Sequence, residues 1–158
     1  MNWKPLFLLL AWLPGLAQTY SGPKPPKQDI PYLLQAGKLI PVEATQAKEE
    51  DRKEGPVFVI DGAASPVKTP MAMPIFLFDS GSLAPQSLEL YKLDVNGDHR
   101  EVSTGGTKKR KNAARPIKLS ITQLDTHLYR VESYETLDPG EYSLSPNSSN
   151  QAFCFAVY

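Results

Sequence analysis

The stretch Leu137-Asp138-Pro139-Gly140-Glu141-Tyr142-Ser143-Leu144 carries the clearest architectural information in this sequence. Proline and glycine stand side by side, and this pair marks a tight turn, because proline fixes one backbone angle and glycine tolerates unusual ones. The residues that follow place an aromatic and an aliphatic side chain two positions apart, as in a strand with one buried face. The stretch therefore predicts a turn that leads into a β-strand.

The same stretch resembles the Leu-x-Pro-Gly…Tyr corner of fibronectin-type and immunoglobulin-like sandwiches. In those folds the tyrosine hydroxyl bonds back across the corner. The resemblance implies that bond for Tyr142 and a last strand over residues 151–158, after a turn at residues 147–150. More broadly, the chain after its first residues resembles uncharacterised secreted bacterial β-sandwich proteins, a likeness that implies a fold and no activity.

Short β-type runs divided by turn signals recur from residue 30 to the end. Ile117, Leu119 and Ile121 alternate with polar residues, the period-two pattern of a half-buried strand. The other runs cover residues 30–34, 39–42, 57–60, 75–78, 88–95, 128–133 and 142–144. Their spacing is typical of a sandwich or barrel. We therefore predict an all-β fold, a single immunoglobulin-like antiparallel β-sandwich over residues 30–158.

Residues 43–54 are rich in charge and have almost no apolar face. Glu49 and Lys53 would form an i,i+4 pair in a helix, but such a helix would have little to bury. Helix, strand and loop all stay open for this segment.

The N-terminus has the pattern of an export signal. Lys4 supplies a positive charge, an apolar run follows at residues 6–13, and Gly15 and Ala17 place small residues before a predicted cleavage after Ala17. The run of about eight residues is too short to cross a bilayer of about 30 Å as a helix. We predict a signal peptide at residues 1–17, a Pro/Lys-rich extended spacer at residues 18–29, and a secreted or periplasmic mature form without a transmembrane segment.

The composition excludes some classes of partner. The formal net charge is zero, so the balance does not indicate nucleic acid. The single cysteine, Cys154, cannot form an internal disulfide, and its apolar surroundings in the sequence predict an inert buried thiol. His99 and His127 stand beside predicted turns, where we expect both to be exposed, and outside any cluster with metal-ligand spacing. No phosphate-binding glycine pattern occurs. We expect neither a metal nor a cofactor.

The segment Phe78-Asp79-Ser80-Gly81-Ser82 resembles the Asp-Ser/Thr-Gly-Ser/Thr signature of aspartic proteases. That mechanism needs two aspartates sharing one proton, and the chain has one copy of the motif. A retroviral-type protease would supply the second Asp79 by dimerising. The alternative interpretation is a strand that ends in an Asp-Ser-Gly turn, where these residue types form local hydrogen bonds.

Two further segments have competing interpretations. Asp94-Val95-Asn96-Gly97-Asp98 begins like a calcium loop, but the later ligand positions are wrong, and Asn-Gly predicts a tight hairpin instead. A basic cluster of Lys108, Lys109, Arg110 and Lys111 follows two glycines. In an exported protein it would be either a solvated loop or a patch that attracts an anionic envelope polymer.

The function we predict is a non-enzymatic secreted or periplasmic module that binds a protein or a cell-envelope polymer. Binding on such folds is carried by loops or by exposed strand edges, and the loops at residues 63–73 and 104–114 are long and polar. The alternative is the dimeric aspartic protease that uses Asp79.

Overall fold

The computed structural model describes residues 20–104 and 113–158, and this part of the chain folds into two packed antiparallel sheets. The all-β sandwich prediction is confirmed, whereas kinship with immunoglobulin domains stays a prediction. The first seven strands are β1 (Pro31–Gln35), β2 (Lys38–Pro41), β3 (Glu43–Gln46), β4 (Lys48–Arg52), β5 (Gly55–Asp61), β6 (Lys68–Thr69) and β7 (Ile75–Asp79). The other six are β8 (Leu88–Asn96), β9 (His99–Ser103), β10 (Leu119–Gln123), β11 (Leu128–Ser133), β12 (Gly140–Pro146) and β13 (Gln151–Val157).

The smaller sheet has the strand order β10-β11-β7-β1-β2. The larger sheet has the order β3-β13-β12-β8-β9-β5-β4, and the two-residue strand β6 pairs in parallel with β13. A single turn of 3₁₀ helix, Pro85–Ser87, leads into β8.

The larger sheet curls back on itself. Strands β3 and β4 lie at opposite ends of its strand order, yet only Ala47 separates them in the chain. Because β3 pairs with β13 while β4 pairs with β5, the two edges of the sheet must meet at Ala47. We call this seven-stranded unit the curled sheet; it has an inner face and an outer face.

The charged segment at residues 43–54 therefore forms strands and not a helix. Exposure alternates along β3, because Glu43 and Thr45 point to the inner face while Ala44 and Gln46 are exposed. All five residues of β4 are exposed, so pairing with β5, and not burial, holds this strand in place. A tract with no continuous apolar face is accommodated in this way at a sheet edge.

Two hydrophobic clusters lie on the two faces of the curled sheet. Along β13, Phe153 and Phe155 point to one cluster while Ala152 and Cys154 point to the other, so this strand is buried on both faces. The cluster between the two sheets includes Leu33, Phe76, Phe78, Leu90, Val131, Tyr142, Leu144, Phe153 and Phe155. The cluster on the inner face contains Ile60, Leu93, Val102, Ala152 and Cys154, with Ala47, Phe58, Tyr91 and Ala114 packed against it.

The tyrosine corner is formed as the sequence indicates. The Tyr142 hydroxyl donates to the Asp138 carbonyl oxygen over 2.7 Å, four residues upstream. The ring is buried and stacks on Phe155, with 5.6 Å between ring centroids. The hydroxyl thus ties the turn at residues 138–140 to the core between the sheets.

The Asn-Gly hairpin is confirmed as well. Asn96 of β8 pairs with His99 of β9, and Gly97 begins the two-residue turn with a φ of 62°. This angle lies in the left-handed region, which glycine enters without steric cost.

The described part of the predicted spacer lies against the domain. Pro25 is buried, and the Lys24 Nζ atom lies 2.8 Å from an Asp125 carboxylate oxygen. Residues 21–24 and 26–28 are exposed, so the segment is held to the domain at these two points and is otherwise solvated, and the spacer stays a prediction. The predicted signal peptide at residues 1–17 lies outside the described residues.

Within the described ranges there is no helix with the length and apolar character needed to cross a membrane.

Replacing Tyr142 with phenylalanine tests the tyrosine corner. The Tyr142→Phe variant keeps the ring and removes one hydrogen bond, so we expect the free energy of unfolding to fall by about 1 kcal/mol. Urea unfolding followed by fluorescence measures this change. Tyr134, whose side chain is largely exposed, provides the matched control, and Tyr134→Phe should leave stability unchanged. Equal stability of wild type and Tyr142→Phe would contradict the role of the corner.

Candidate functional site

Asp79 lies at the last position of β7, and the structure makes its motif a turn. The Asp79 carbonyl oxygen accepts a hydrogen bond from the Asp29 amide over 2.8 Å. The Ser80 hydroxyl donates to the Leu83 carbonyl oxygen over 2.8 Å. The Ser80 bond is a local hydrogen bond of the kind expected of an Asp-Ser-Gly turn, whereas the Asp29 bond ties the turn to a distant part of the chain. The dimeric protease alternative stays a prediction.

The turn is organised around the carboxylate of Asp29. Backbone amides of Gly81, Ser82 and Leu83 donate to it over 2.8, 2.9 and 3.0 Å, and the Ser82 hydroxyl donates over 2.8 Å. A Cβ atom at Gly81 would lie 3.0 Å from Asp29 Oδ2, so glycine allows this close approach. Partial burial raises the pKa of Asp29, but the hydrogen bonds from Ser82, Leu83 and Gly81 outweigh it and hold the pKa below its ordinary value.

The predicted basic loop, Lys108, Lys109, Arg110 and Lys111, lies outside the described residues. The other loop singled out from the sequence, residues 63–73, is anchored at two buried residues and is otherwise exposed or partly exposed. Ser65 and Thr69 are buried, and the Ser65 amide donates to Glu141 Oε2 over 2.9 Å. The buried Ser65 ties this loop to β12 and β13, because its hydroxyl also donates to the Cys154 carbonyl oxygen over 3.3 Å.

The side chains of the calcium-like segment do not converge on a site. Asp94 and Asp98 are both exposed, and Asp98 lies in the hairpin turn. Among the described residues, no group of three or more His, Cys, Asp or Glu side chains is arranged to hold a metal ion.

The two histidines lie apart. His127 is exposed, whereas His99 is partly buried and contacts Asp98 and Glu101 at 3.3 and 3.1 Å. Hydrogen bonds to these two carboxylates raise the pKa of His99 above its ordinary value. The sequence prediction that both histidines are exposed is therefore wrong for His99, because β9 sets its ring beside Glu101.

Cys154 is fully buried on the inner face of the curled sheet. Burial raises the pKa of its thiol to about 11, so the thiolate is scarce at neutral pH. The prediction of a buried thiol is confirmed.

A buried guanidinium, which the sequence analysis did not single out, lies beside Cys154. Arg100 of β9 has no exposed surface, and its two terminal nitrogens donate to the two carboxylate oxygens of Glu43 over 2.8 and 2.9 Å. Its Nε donates to the Gly62 carbonyl oxygen over 2.8 Å, and one terminal nitrogen donates to the Asp61 carbonyl oxygen over 3.1 Å.

This cluster closes one end of the space inside the curled sheet. Glu141 Oε2 lies 3.6 Å from the Arg100 guanidinium. Burial works against the charged form, but the bond to Glu43 and the nearby carboxylates outweigh it and raise the pKa of Arg100. Arg100 therefore stays charged, and it joins β9 to β3 and to the end of β5.

The free edge of the smaller sheet is β10, and its backbone pattern can be worked out from its neighbours. The Leu124 amide donates to the Leu128 carbonyl oxygen and the Tyr134 amide to the Lys118 carbonyl oxygen, each over 2.8 Å. Both bonds fit the register in which Ser120 faces Glu132 and Thr122 faces Arg130. Since hydrogen-bonded pairs alternate in an antiparallel ladder, Ser120 and Thr122 bond to β11.

Leu119, Ile121 and Gln123 therefore direct their backbone N–H and C=O groups away from the sheet. Strand β10 pairs with β11 alone among the strands of its sheet. These three positions, every second residue of β10, offer unpaired backbone groups to which a further strand could bond.

The opposite edge, β2, does not offer the same template. The Val42 amide donates to the Pro31 carbonyl oxygen over 3.3 Å, which makes Leu39 and Pro41 the outward positions of β2. Proline has no N–H group, so one of the two positions lacks a donor. Edge prolines and lysines such as Lys38 are devices that discourage strand addition.

We compared the chain with protein-family models, curated proteins and solved structures, and none of them matches it.

Replacing Asp29 with asparagine tests the turn at residues 79–83. Because the folded pKa of Asp29 is lowered, its stabilisation is present above pH about 4 and is lost as pH falls through the folded pKa. At pH 7 we expect Asp29→Asn to be less stable than wild type by about 1–2 kcal/mol, because it loses charge-assisted hydrogen bonds. The difference in the free energy of unfolding between wild type and Asp29→Asn should narrow below pH 4.

Urea unfolding between pH 2.5 and 7 measures this difference. Asp94→Asn removes the same charge at an exposed position and serves as the control. A gap between wild type and Asp29→Asn that stays constant over the whole range would contradict the structural role of the carboxylate.

Proposed function

We propose that the protein is an exported, non-enzymatic β-sandwich that binds an extended segment of a partner protein along β10. The observation that carries this proposal is the set of three outward backbone positions at Leu119, Ile121 and Gln123. Strand addition of this kind takes its affinity from main-chain hydrogen bonds and its specificity from alternate side chains.

The side chains of β10 favour such pairing. The strand contains no charged residue, so an approaching strand meets no like-charge repulsion there. Leu119 and Ile121 pack against the core between the sheets, which fixes the strand, while Thr122 and Gln123 are exposed. A fixed, uncharged edge pairs at a smaller entropic cost than a mobile loop.

Export is part of the proposal, and it is supported by the charge, the apolar run and the small residues at positions 4–17. The mature protein would be periplasmic or secreted. An anionic envelope polymer bound by the basic cluster is the second possible partner, and the experiment below separates the two.

Hydrogen exchange followed by NMR tests the edge. We expect the amides of Leu119, Ile121 and Gln123 to exchange much faster than those of Ser120 and Thr122, which bond to β11. Slow exchange at all five positions would show that the edge is already paired and would contradict the proposal.

A pair of substitutions at Gln123 tests partner binding. Gln123→Pro removes one outward N–H group, whereas Gln123→Ala keeps it and removes only the side chain. We expect both variants to fold, and capture with mild crosslinking from the native host to recover a partner with wild type and Gln123→Ala but not with Gln123→Pro.

A third variant, with Lys108, Lys109, Arg110 and Lys111 changed to serine, should retain the same partner. Loss of the partner in this variant together with retention in Gln123→Pro would assign binding to the basic cluster and overturn the proposal.

A further inference from the structure

The inner face of the curled sheet lines a partly open cavity of about 130 Å³. It lies at the end of the curled sheet near the β12–β13 turn, away from the turn that joins β8 and β9. Its lining includes Phe58, Ile60, Leu93 and Val102 from three strands, and Asn147, Asn150 and Gln151 lie at the β12–β13 turn.

The cavity exists because β8 and β9 separate. Strand β8 pairs with β12 from Leu88 to Leu93, but with β9 only from Asp94 to Asn96. Beyond the hairpin the two strands are therefore not joined by a ladder, and Tyr91 and Val102 line the space between them. The small side chains of Ala47 and Ala152 leave room on the opposite wall.

The chemistry of the wall changes from the deep part of the cavity to its mouth. The deep part is apolar, because Ile60 and Leu93 are buried members of the inner cluster. Nearer the mouth, where Glu89 and Tyr91 are only partly buried, the Tyr91 hydroxyl donates to Glu89 Oε2 over 2.6 Å. The Ser143 hydroxyl is buried and lies 2.8 Å from the Ser145 hydroxyl. Among the described residues that line the cavity, Glu89 is the only one of the types Asp, Glu, Lys, Arg or His.

We infer that this cavity binds a small amphiphile with an apolar body the size of a six-membered ring and a head that donates hydrogen bonds, an alcohol or an amine. The inference goes beyond strand addition at β10 and does not depend on it.

The size and the charge of the cavity both support this class of ligand. An apolar cavity of about 150 Å³ in another protein holds benzene, so about 130 Å³ suits a ring of similar size. A donor head at the mouth meets the carboxylate of Glu89, whose other oxygen is not used by Tyr91. An anionic head would meet the same carboxylate and be repelled.

Four ring compounds of matched size test the inference: benzyl alcohol, benzylamine, benzoate and toluene. NMR titration of the full protein should give saturable shifts at Phe58, Ile60, Leu93 and Val102 with benzyl alcohol or benzylamine, with a dissociation constant on the order of 1 mM. Benzoate should bind at least about tenfold more weakly, which corresponds to about 1.4 kcal/mol.

A matched pair of substitutions places the ligand. Ala47→Leu extends a side chain into the cavity and should abolish the shifts, whereas Ala44→Leu makes the same change at an exposed position of β3 and should leave them unchanged. Glu89→Gln removes the only carboxylate of the cavity lining. The dissociation constants of benzyl alcohol and benzoate should then differ by less than about threefold.

The inference would be overturned by the absence of saturable binding for all four compounds, by binding that survives Ala47→Leu, or by a preference for benzoate in the wild type. If toluene bound as tightly as benzyl alcohol, the hydrogen-bonding head would contribute nothing to affinity, and that part of the inference would be wrong. Because none of these variants alters β10, failure here leaves partner binding at Gln123 unaffected.

Discussion

The ion pair between the buried Arg100 and the partly buried Glu43 is the interaction on which the curled sheet depends. A guanidinium with no exposed surface has a large desolvation cost, which only well-placed acceptors offset. Here Glu43 accepts two hydrogen bonds and the carbonyl oxygens of Asp61 and Gly62 accept the others. The acceptors come from β3 and from the end of β5, so the charge is satisfied only when β3, β5 and β9 surround it.

Curling has consequences for both surfaces of the larger sheet. Its outer face packs on the smaller sheet, and its inner face encloses a second cluster with an open cavity at one end. Strands β3 and β4 are the edges of the larger sheet and have no ladder with each other, but every residue of β4 is charged, which discourages strand addition there. In the smaller sheet, Pro41 removes a backbone donor from the edge strand β2. Strand β10 is thereby left as the available template.

The turns and most strands could be predicted from the sequence because their signals are local. The Pro139-Gly140 turn, the hairpin at Gly97 and the alternation around Ile121 depend on neighbours in the chain. The curled sheet could not be predicted, because it requires the charged residues 43–52 to pair with two distant strands. One signal was present: Arg100 shares the period-two face of Val102, which places an arginine on a buried face and requires an acidic partner. The cavity had no such signal, since the separation of β8 from β9 is set by tertiary pairing.

A double-mutant cycle on Arg100 and Glu43 tests the central claim most directly. Glu43→Met removes the carboxylate that binds both terminal nitrogens of the fully buried Arg100 and leaves only the more distant Glu141, so it should lower the free energy of unfolding by about 3–5 kcal/mol. Arg100→Met leaves the partly exposed Glu43 carboxylate and should lower it by less. The double variant removes both charges and should lose much less than the sum, with a coupling of at least about 1.5 kcal/mol. If either single variant does not fold, a folded double variant gives the same answer. Losses that simply add would show that the two side chains do not contact each other, and the closure of the curled sheet around them would be wrong.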